Sequence, residues 1–188
     1  MMDARICCCV FSFLCIAPNF IIFLVFLTPM KDPVPKVELA SMDFTVLSIT
    51  QTRLSAKWEL SIRIPEDLPG EYICLQGDFQ ASFLYKNVTL VTSSPQKYYG
   101  LNYRLPQILK VSAVVSGEDM GGSIGKYLME DVKEKKQVQF GLLFSLTDCR
   151  KKTSGVMSYK CHEATLMFEP GSEIKASVFG KHPSCINF

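Results

Sequence analysis

The sequence predicts a mainly β chain, an antiparallel β-sandwich with one short helix, preceded by a single amino-terminal transmembrane helix. Three observations carry this. An uncharged apolar run lies near the amino terminus, a two-residue hydrophobic period dominates most of the remaining chain, and one short stretch has helical spacing. The 188 residues hold 20 Lys plus Arg against 18 Asp plus Glu, a net charge of +2, so no basic stripe exists for a phosphate backbone and no nucleic-acid partner is expected. With 11 Gly, 10 Pro and 48% hydrophobic residues, collagen-like and disordered classes are excluded as well.

The apolar run comes first. No charged side chain occurs between Arg5 and Lys31, and residues 6–27 include fourteen Val, Ile, Leu or Phe. That suffices to cross roughly 30 Å of hydrocarbon as a helix. The alternative is a cleaved signal peptide, but the run exceeds the usual apolar core of such peptides, and the small residue Ala17 is followed by Pro18. The expected division is a cytosolic stub at 1–5, a signal anchor at 6–28, a Pro-containing linker at 29–36 and a β-sandwich domain at 37–188. Cys7, Cys8 and Cys9 are candidates for S-acylation at the membrane edge, the alternative being apolar filler within the span. In the linker Pro29, Pro33 and Pro35 favour extended backbone and stop any helix.

From residue 37 onward apolar and polar residues alternate. Ala56, Trp58, Leu60, Ile62 and Ile64 interleave with Lys57, Glu59, Ser61 and Arg63, the pattern of a strand with one wet face. Similar strands are expected at 78–86 with Phe79, Ala81, Phe83 and Tyr85 inward, and at 107–115 with Leu109, Val111, Ala113 and Val115 inward. Two more are expected at 138–146 and 159–169, the latter burying Ala164, Leu166 and Phe168. Pro69-Gly70, Gly77-Asp78, Ser93-Ser94-Pro95 and Pro170-Gly171 read as turns. Residues 124–136 read as a helix with Ser123 as its amino-terminal cap.

Pairing the inward faces of the last two long strands as Leu142 with Phe168, Phe144 with Leu166 and Leu146 with Ala164 sets Cys149 opposite Cys161 on the wet face. A disulfide between Cys149 and Cys161 is therefore expected. Cys74 and Cys185 make up the rest of the set, for which three complete pairings exist. Asn87-Val88-Thr89 is a glycosylation sequon, used only if the carboxy-terminal part is extracytosolic.

The uncharged anchor, the Pro-bearing connector and the segment Leu54-Ser55-Ala56-Lys57-Trp58-Glu59-Leu60-Ser61-Ile62-Arg63-Ile64-Pro65 together resemble a plant family. Phe83-Leu84-Tyr85-Lys86-Asn87-Val88 and Tyr159-Lys160-Cys161 strengthen the likeness. It is the late-embryogenesis-abundant group 2 (LEA-2) family, which includes harpin-induced-like and disease-resistance-like membrane proteins. Members commonly place Asn-Pro-Asn where this chain has Ile64-Pro65-Glu66, so it resembles a divergent member. The resemblance implies a seven-stranded immunoglobulin- or fibronectin-III-like sandwich with a short helix. It also implies plasma-membrane or endomembrane residence and roles in pathogen or abiotic-stress responses, with no catalytic residues.

Signals for other chemistry are weaker. Gly121-Gly122-Ser123-Ile124-Gly125 matches a nucleophile elbow, and Asp148 and His162 come later in the order of a serine hydrolase. An elbow needs a strand ending at the serine, and this chain lacks the crossover helices of that fold. Two His and no Cys-x-x-Cys beyond residue 33 argue against a metal site, and Gly125-Lys126-Tyr127 lacks the hydroxyl of a phosphate loop. The runs Lys133-Glu134-Lys135-Lys136 and Arg150-Lys151-Lys152 read as solvated ends of elements, and Gln76-Gly77-Asp78 as a turn rather than an adhesion tripeptide.

The expected function is that of a non-enzymatic single-pass membrane protein with a cytosolic amino terminus and no cofactor or metal. Its extracytosolic sandwich binds a protein, a cell-wall polymer or a lipid, with homo- or hetero-oligomers left open. A lipid-binding sandwich that takes up acyl chains is the alternative, prompted by the density of Phe, Leu and Tyr in residues 79–103. A serine hydrolase using Ser123 is a third reading.

Overall fold

The computed structural model describes residues 34–188 apart from 152 and 181. The segment assigned to the anchor, with Cys7, Cys8 and Cys9, lies outside the described residues. Val34–Phe188 forms one compact unit. Its elements are β1 (Val37–Ile49), β2 (Arg53–Ile64), β3 (Gly77–Tyr85), β4 (Val88–Thr92), β5 (Gln96–Tyr98), β6 (Gln107–Asp119), α1 (Gly122–Glu130), a π-helical turn (Asp131–Lys135), β7 (Gln137–Thr147), β8 (Val156–Phe168), β9 (Lys175–Val178) and β10 (Ser184–Asn187).

All strand pairs between these elements are antiparallel, and the order is β4-β3-β7-β8-β10-β1-β2-β6, with β5 on β3 and β9 between β1 and β8. β9 and β10 behave as one interrupted strand. Asp43 pairs with Ser177 and Val37 with Cys185 on one side, while Leu166 pairs with Val178 and Cys161 with Cys185 on the other. The carboxy-terminal segment thus zips the two halves of the sheet together. The halves also face each other across the core. The Trp58 ring on β2 lies 5.7 Å from Phe83 on β3 and 5.8 Å from Phe140 on β7, though β2 neighbours neither strand in the sheet. The sheet therefore folds over on itself in a sandwich-like body.

The strand faces follow the alternation. Ala56, Trp58, Leu60, Ile62 and Ile64 are buried, as are Phe79, Ala81, Phe83 and Tyr85, the four inward residues of β6, and Val138, Phe140, Leu142, Phe144 and Leu146. In β8 the expected inward residues Ala164, Leu166 and Phe168 are buried, but so are Met157, Tyr159 and Cys161, which have the opposite parity. The register explains this. Phe140 pairs with Ala164 and Leu142 with Cys161, so Gly141 alone opposes His162 and Glu163 in a β-bulge that resets the face.

That bulge corrects the hairpin pairing. Leu142, Phe144 and Leu146 meet Cys161, Tyr159 and Met157, not Phe168, Leu166 and Ala164. The shift is seven residues, and the bulge at Gly141 absorbs the odd one. Ala164, Leu166 and Phe168 therefore still face inward on one side of it while Met157, Tyr159 and Cys161 do on the other, and the tighter loop from Asp148 to Gly155 forms. The expected Cys149–Cys161 bridge fails with it. Cys161 turns inward and bonds Cys185, directly opposite on β10, while Cys149 sits in the loop and bonds Cys74.

The helix expected at 124–136 is present as α1 followed by the π-helical turn, but Ser123 is not its cap. Gly121 occupies the cap position with φ 67° and makes no side-chain hydrogen bond, and Ser123 lies exposed in the first turn. Gly125 is buried against the backbone of the β1–β2 turn, where an added Cβ would fall 2.7 Å from the Gln51 carbonyl carbon. The glycines of the elbow-like motif are thereby accounted for by a left-handed cap and a close approach of backbones.

Gly77-Asp78 is also no turn. Gly77 opens β3 and pairs with Tyr98. A Cβ there would lie 2.5 Å from Thr147 Cβ and 2.9 Å from the Tyr98 hydroxyl, and Thr147 Oγ1 accepts the Asp78 N–H at 2.8 Å. Gly77→Ala is expected to destabilise by about 1–3 kcal/mol through this overpacking, read as a lower urea midpoint with unchanged slope. An unchanged midpoint would contradict the close approach.

Candidate functional site

The β7–β8 bulge has a consequence on the outer face. With His162 and Glu163 both exposed and Gly141 contributing no side chain, a groove of about 380 Å³ opens over β3, β7, β8 and β10. Its apolar lining comes from Leu84, Leu143 and Ile186, and its polar rim from Lys160, His162, Glu163 and Asn87. The outward Leu84 and Leu143 are half-buried, and Ile186 is 46% exposed. An added Cβ at Gly141 would touch Leu84 Cβ at 3.5 Å, so the missing side chain forms the groove floor.

Asn87 is held at the rim by its turn. Lys86 and Asn87 have φ 49° and 63°, the left-handed pair of a two-residue hairpin that Asn tolerates well. Asn87 and Thr89 are both exposed. The sequon is thus on an accessible hairpin, with its asparagine beside a groove whose floor is apolar.

At the opposite end of the strands the loops are clasped. Tyr72 O accepts the Cys149 N–H at 2.9 Å, Thr147 O accepts the Cys74 N–H at 3.0 Å, and the Cys74–Cys149 disulfide closes the same junction. Beside it the buried Asp148 carboxylate accepts hydrogen bonds from Arg150 Nε at 3.1 Å, Nη2 at 2.8 Å and backbone N–H at 2.9 Å. The Arg150 guanidinium also lies 5.7 Å from the Tyr72 ring centroid. The Arg150 hydrogen bonds hold the Asp148 carboxyl below the usual carboxylate range despite its burial. A lowered folded value means that this group stabilises the fold above the ordinary carboxylate pKa and that its contribution disappears as pH falls through the lowered value. Asp148→Asn is therefore expected to flatten the acid limb of the stability–pH profile; an acid limb identical to that of the unaltered protein would contradict the clasp.

The hydrolase candidates do not converge. Ser123 lies in the first turn of α1, before β7, and Asp148 follows the last residue of that eleven-residue strand. Asp148 bonds Arg150, and His162 sits on the outer bulge instead of facing Asp148 across the hairpin. Among the described residues no group of His, Cys, Asp and Glu is arranged to hold a metal ion.

The charge runs are partly spent inside the fold. Lys135 pairs with Asp131 at 2.8 Å and Glu130 at 3.2 Å, and Lys136 pairs with Glu173 at 2.6 Å. Asp131 also accepts the Tyr85 hydroxyl at 2.6 Å, which ties the helix to β3; burial foremost, then this carboxylate, pushes the Tyr85 phenol well above its ordinary value. In the other run Arg150 is committed to Asp148. The bulge groove had no signal in the alternation, though Gly141 within an apolar strand marks where a bulge can form.

The fold and its surfaces define a disulfide-stapled antiparallel β domain with an outer groove. A family described as "Protein of unknown function (DUF1163)" matches residues 120–187, from the start of α1 to the end of β10. The match includes Gly141, the β8 bulge and the Cys161–Cys185 bridge. No curated protein and no solved structure matches the chain.

Proposed function

We propose that this chain is a non-enzymatic, single-pass membrane protein whose β domain lies outside the cytosol and serves as a binding module, in the manner of the late-embryogenesis-abundant group 2 proteins it resembles. One observation carries the reading: all four cysteines beyond residue 33 are joined in two disulfides. Structural disulfides persist in oxidising compartments and are rare in the cytosol. The exposed sequon at Asn87 and the uncharged run at 6–28 support the same orientation, with S-acylation of Cys7, Cys8 and Cys9 on the cytosolic side. Among the described residues no helix is long and apolar enough to cross a membrane, so the anchor assignment rests on the sequence of 6–28.

On this reading the body is an immunoglobulin- or fibronectin-III-like sandwich, supported by the packing of Trp58 and Phe44 onto Phe140. It departs from the seven strands implied by the resemblance in having ten, of which β9 and β10 join the layers. The bulge groove is the surface offered to a protein, wall-polymer or lipid ligand in stress or defence responses. The acyl-chain alternative loses much of its motive, because Phe79, Phe83, Tyr85, Tyr98 and Leu101 are consumed by the core.

Protease protection of a carboxy-terminally tagged chain in sealed microsomes tests the topology. The tag is expected to survive, a glycosidase-sensitive mass is expected to vanish in Asn87→Gln, and the four cysteines are expected to resist alkylation until reduced. Digestion of the tag in intact vesicles would reject the orientation.

A further inference from the structure

We propose that the loop at residues 99–106 is an interfacial contact, resting its tyrosine and leucine side chains in the headgroup region of the bilayer that holds the amino-terminal segment. The inference rests on the anchored reading above and adds a second attachment to it. The loop joins β5 to β6 and exposes Tyr99 by 71%, Tyr103 by 57% and Leu105 by 58%, with Ile108 exposed by 57% just beyond it. Such clustering of large apolar side chains on one segment of a surface marks a contact site.

The loop is built to hold that display. Leu101 is buried and its N–H donates to Leu75 O at 2.9 Å, while Asn102 Oδ1 accepts the Arg104 N–H at 2.8 Å and Asn102 O accepts Gln107 Nε2 at 2.8 Å. A shaped loop loses little entropy on docking. The chemistry fits the water–lipid boundary. Tyrosine is enriched there because its ring is apolar and its hydroxyl is wet, and Arg104, stacked 5.1 Å from the Tyr103 ring, reaches phosphates by snorkelling. From Gln96 to Gln107 the charges are Lys97 and Arg104, with no carboxylate.

Its place in the fold is beside the start of β1. Pro106 and Lys36 line one cleft, and Ile108 and Glu38 line the next, so the carboxy-terminal end of the loop adjoins the first residues of the body. Only residues 28–33 separate the apolar run from Val34, a span of at most about 20 Å. The first cleft mixes Lys36 and Arg63 with Glu38, Glu66 and Asp67. Insertion of apolar and aromatic groups, rather than net charge, is thus the driving term, and phosphatidylcholine alone suffices as the surface.

The test uses the full chain reconstituted in phosphatidylcholine vesicles with brominated acyl chains, which quench indole emission at short range. Tyr103→Trp is compared with Ile174→Trp, an exposed position in the β8–β9 turn at the other end of the strands, with the buried Trp58 as common background. Loss of emission with a blue shift is expected for Tyr103→Trp and not for Ile174→Trp. Equal emission from the two in chains that float with the vesicles would overturn the interfacial contact while leaving the anchor intact. Chains that fail to float after alkaline washing would overturn both.

Discussion

Replacing Cys74 and Cys149 together with alanine is expected to lower the stability of the β domain by about 4 kcal/mol, the chain-entropy value for a closed loop of this length. The bridge spans 75 residues of sequence, against 24 for Cys161–Cys185, for which about 3 kcal/mol is expected. The two losses should differ in kind as well. Cys74–Cys149 fastens residues 65–76 to the β7–β8 loop beside the backbone hydrogen bonds Cys74–Thr147, Cys149–Tyr72 and Leu101–Leu75 and the buried Leu68 and Ile73, so its removal should loosen this junction to proteolysis before the sheet unfolds. Cys161–Cys185 lies within a zipped strand pair, and its loss should release β10 together with its contacts to β1. Guanidinium titration of oxidised protein and of each double variant, with limited proteolysis at zero denaturant, separates these outcomes. Equal midpoints for all three proteins would refute a structural role for the bridges.

Trp58→Ala is expected to cost about 3–5 kcal/mol and to prevent compact folding in a reduced background. Trp58 is fully buried, and its ring lies 5.0 Å from Phe44, 5.7 Å from Phe83 and 5.8 Å from Phe140, so it joins β1, β2, β3 and β7 in one cluster. Truncation opens a cavity between layers that the disulfides and the β9–β10 zipper keep from collapsing. Trp58→Phe keeps much of the ring volume. The indole Nε1 is buried without a hydrogen-bond acceptor, and replacing it with an apolar ring removes that unpaired donor. The expected loss for Trp58→Phe is accordingly less than half that for Trp58→Ala. Thermal unfolding followed by near-ultraviolet circular dichroism gives both values, and equal losses would show that a six-membered ring at this site recovers none of the packing lost in Trp58→Ala.

The parts of this structure that sequence reasoning reached are those governed by local alternation. The inward residues of β2, β3, β6 and β7 all emerge from period two, because a half-buried strand must place its apolar side chains on one face. The helix emerges from spacing as well. Several of the misses share one cause: their determinants are remote in sequence. β9 and β10 are four residues each, too short to show a period, and they are strands because β1 and β8 pair with them from both sides. Gly77-Asp78 has the composition of a turn, yet Thr147 and Tyr98, far along the chain, make glycine necessary inside a strand. The outer groove was invisible for the same reason, since it exists only where Gly141 opposes two residues of β8.

By itself, then, the amino-acid sequence determined that this is an antiparallel β domain behind an apolar amino-terminal segment, and which side of β2, β3, β6 and β7 faces the core. Tertiary structure alone decided the register of β7 on β8, and with it the partners of all four cysteines and the shape of the outer surface. Alternation repeats every two residues, so many registers bury the same faces equally well. A single bulge at Gly141, selected by how the whole sheet closes, chose among them.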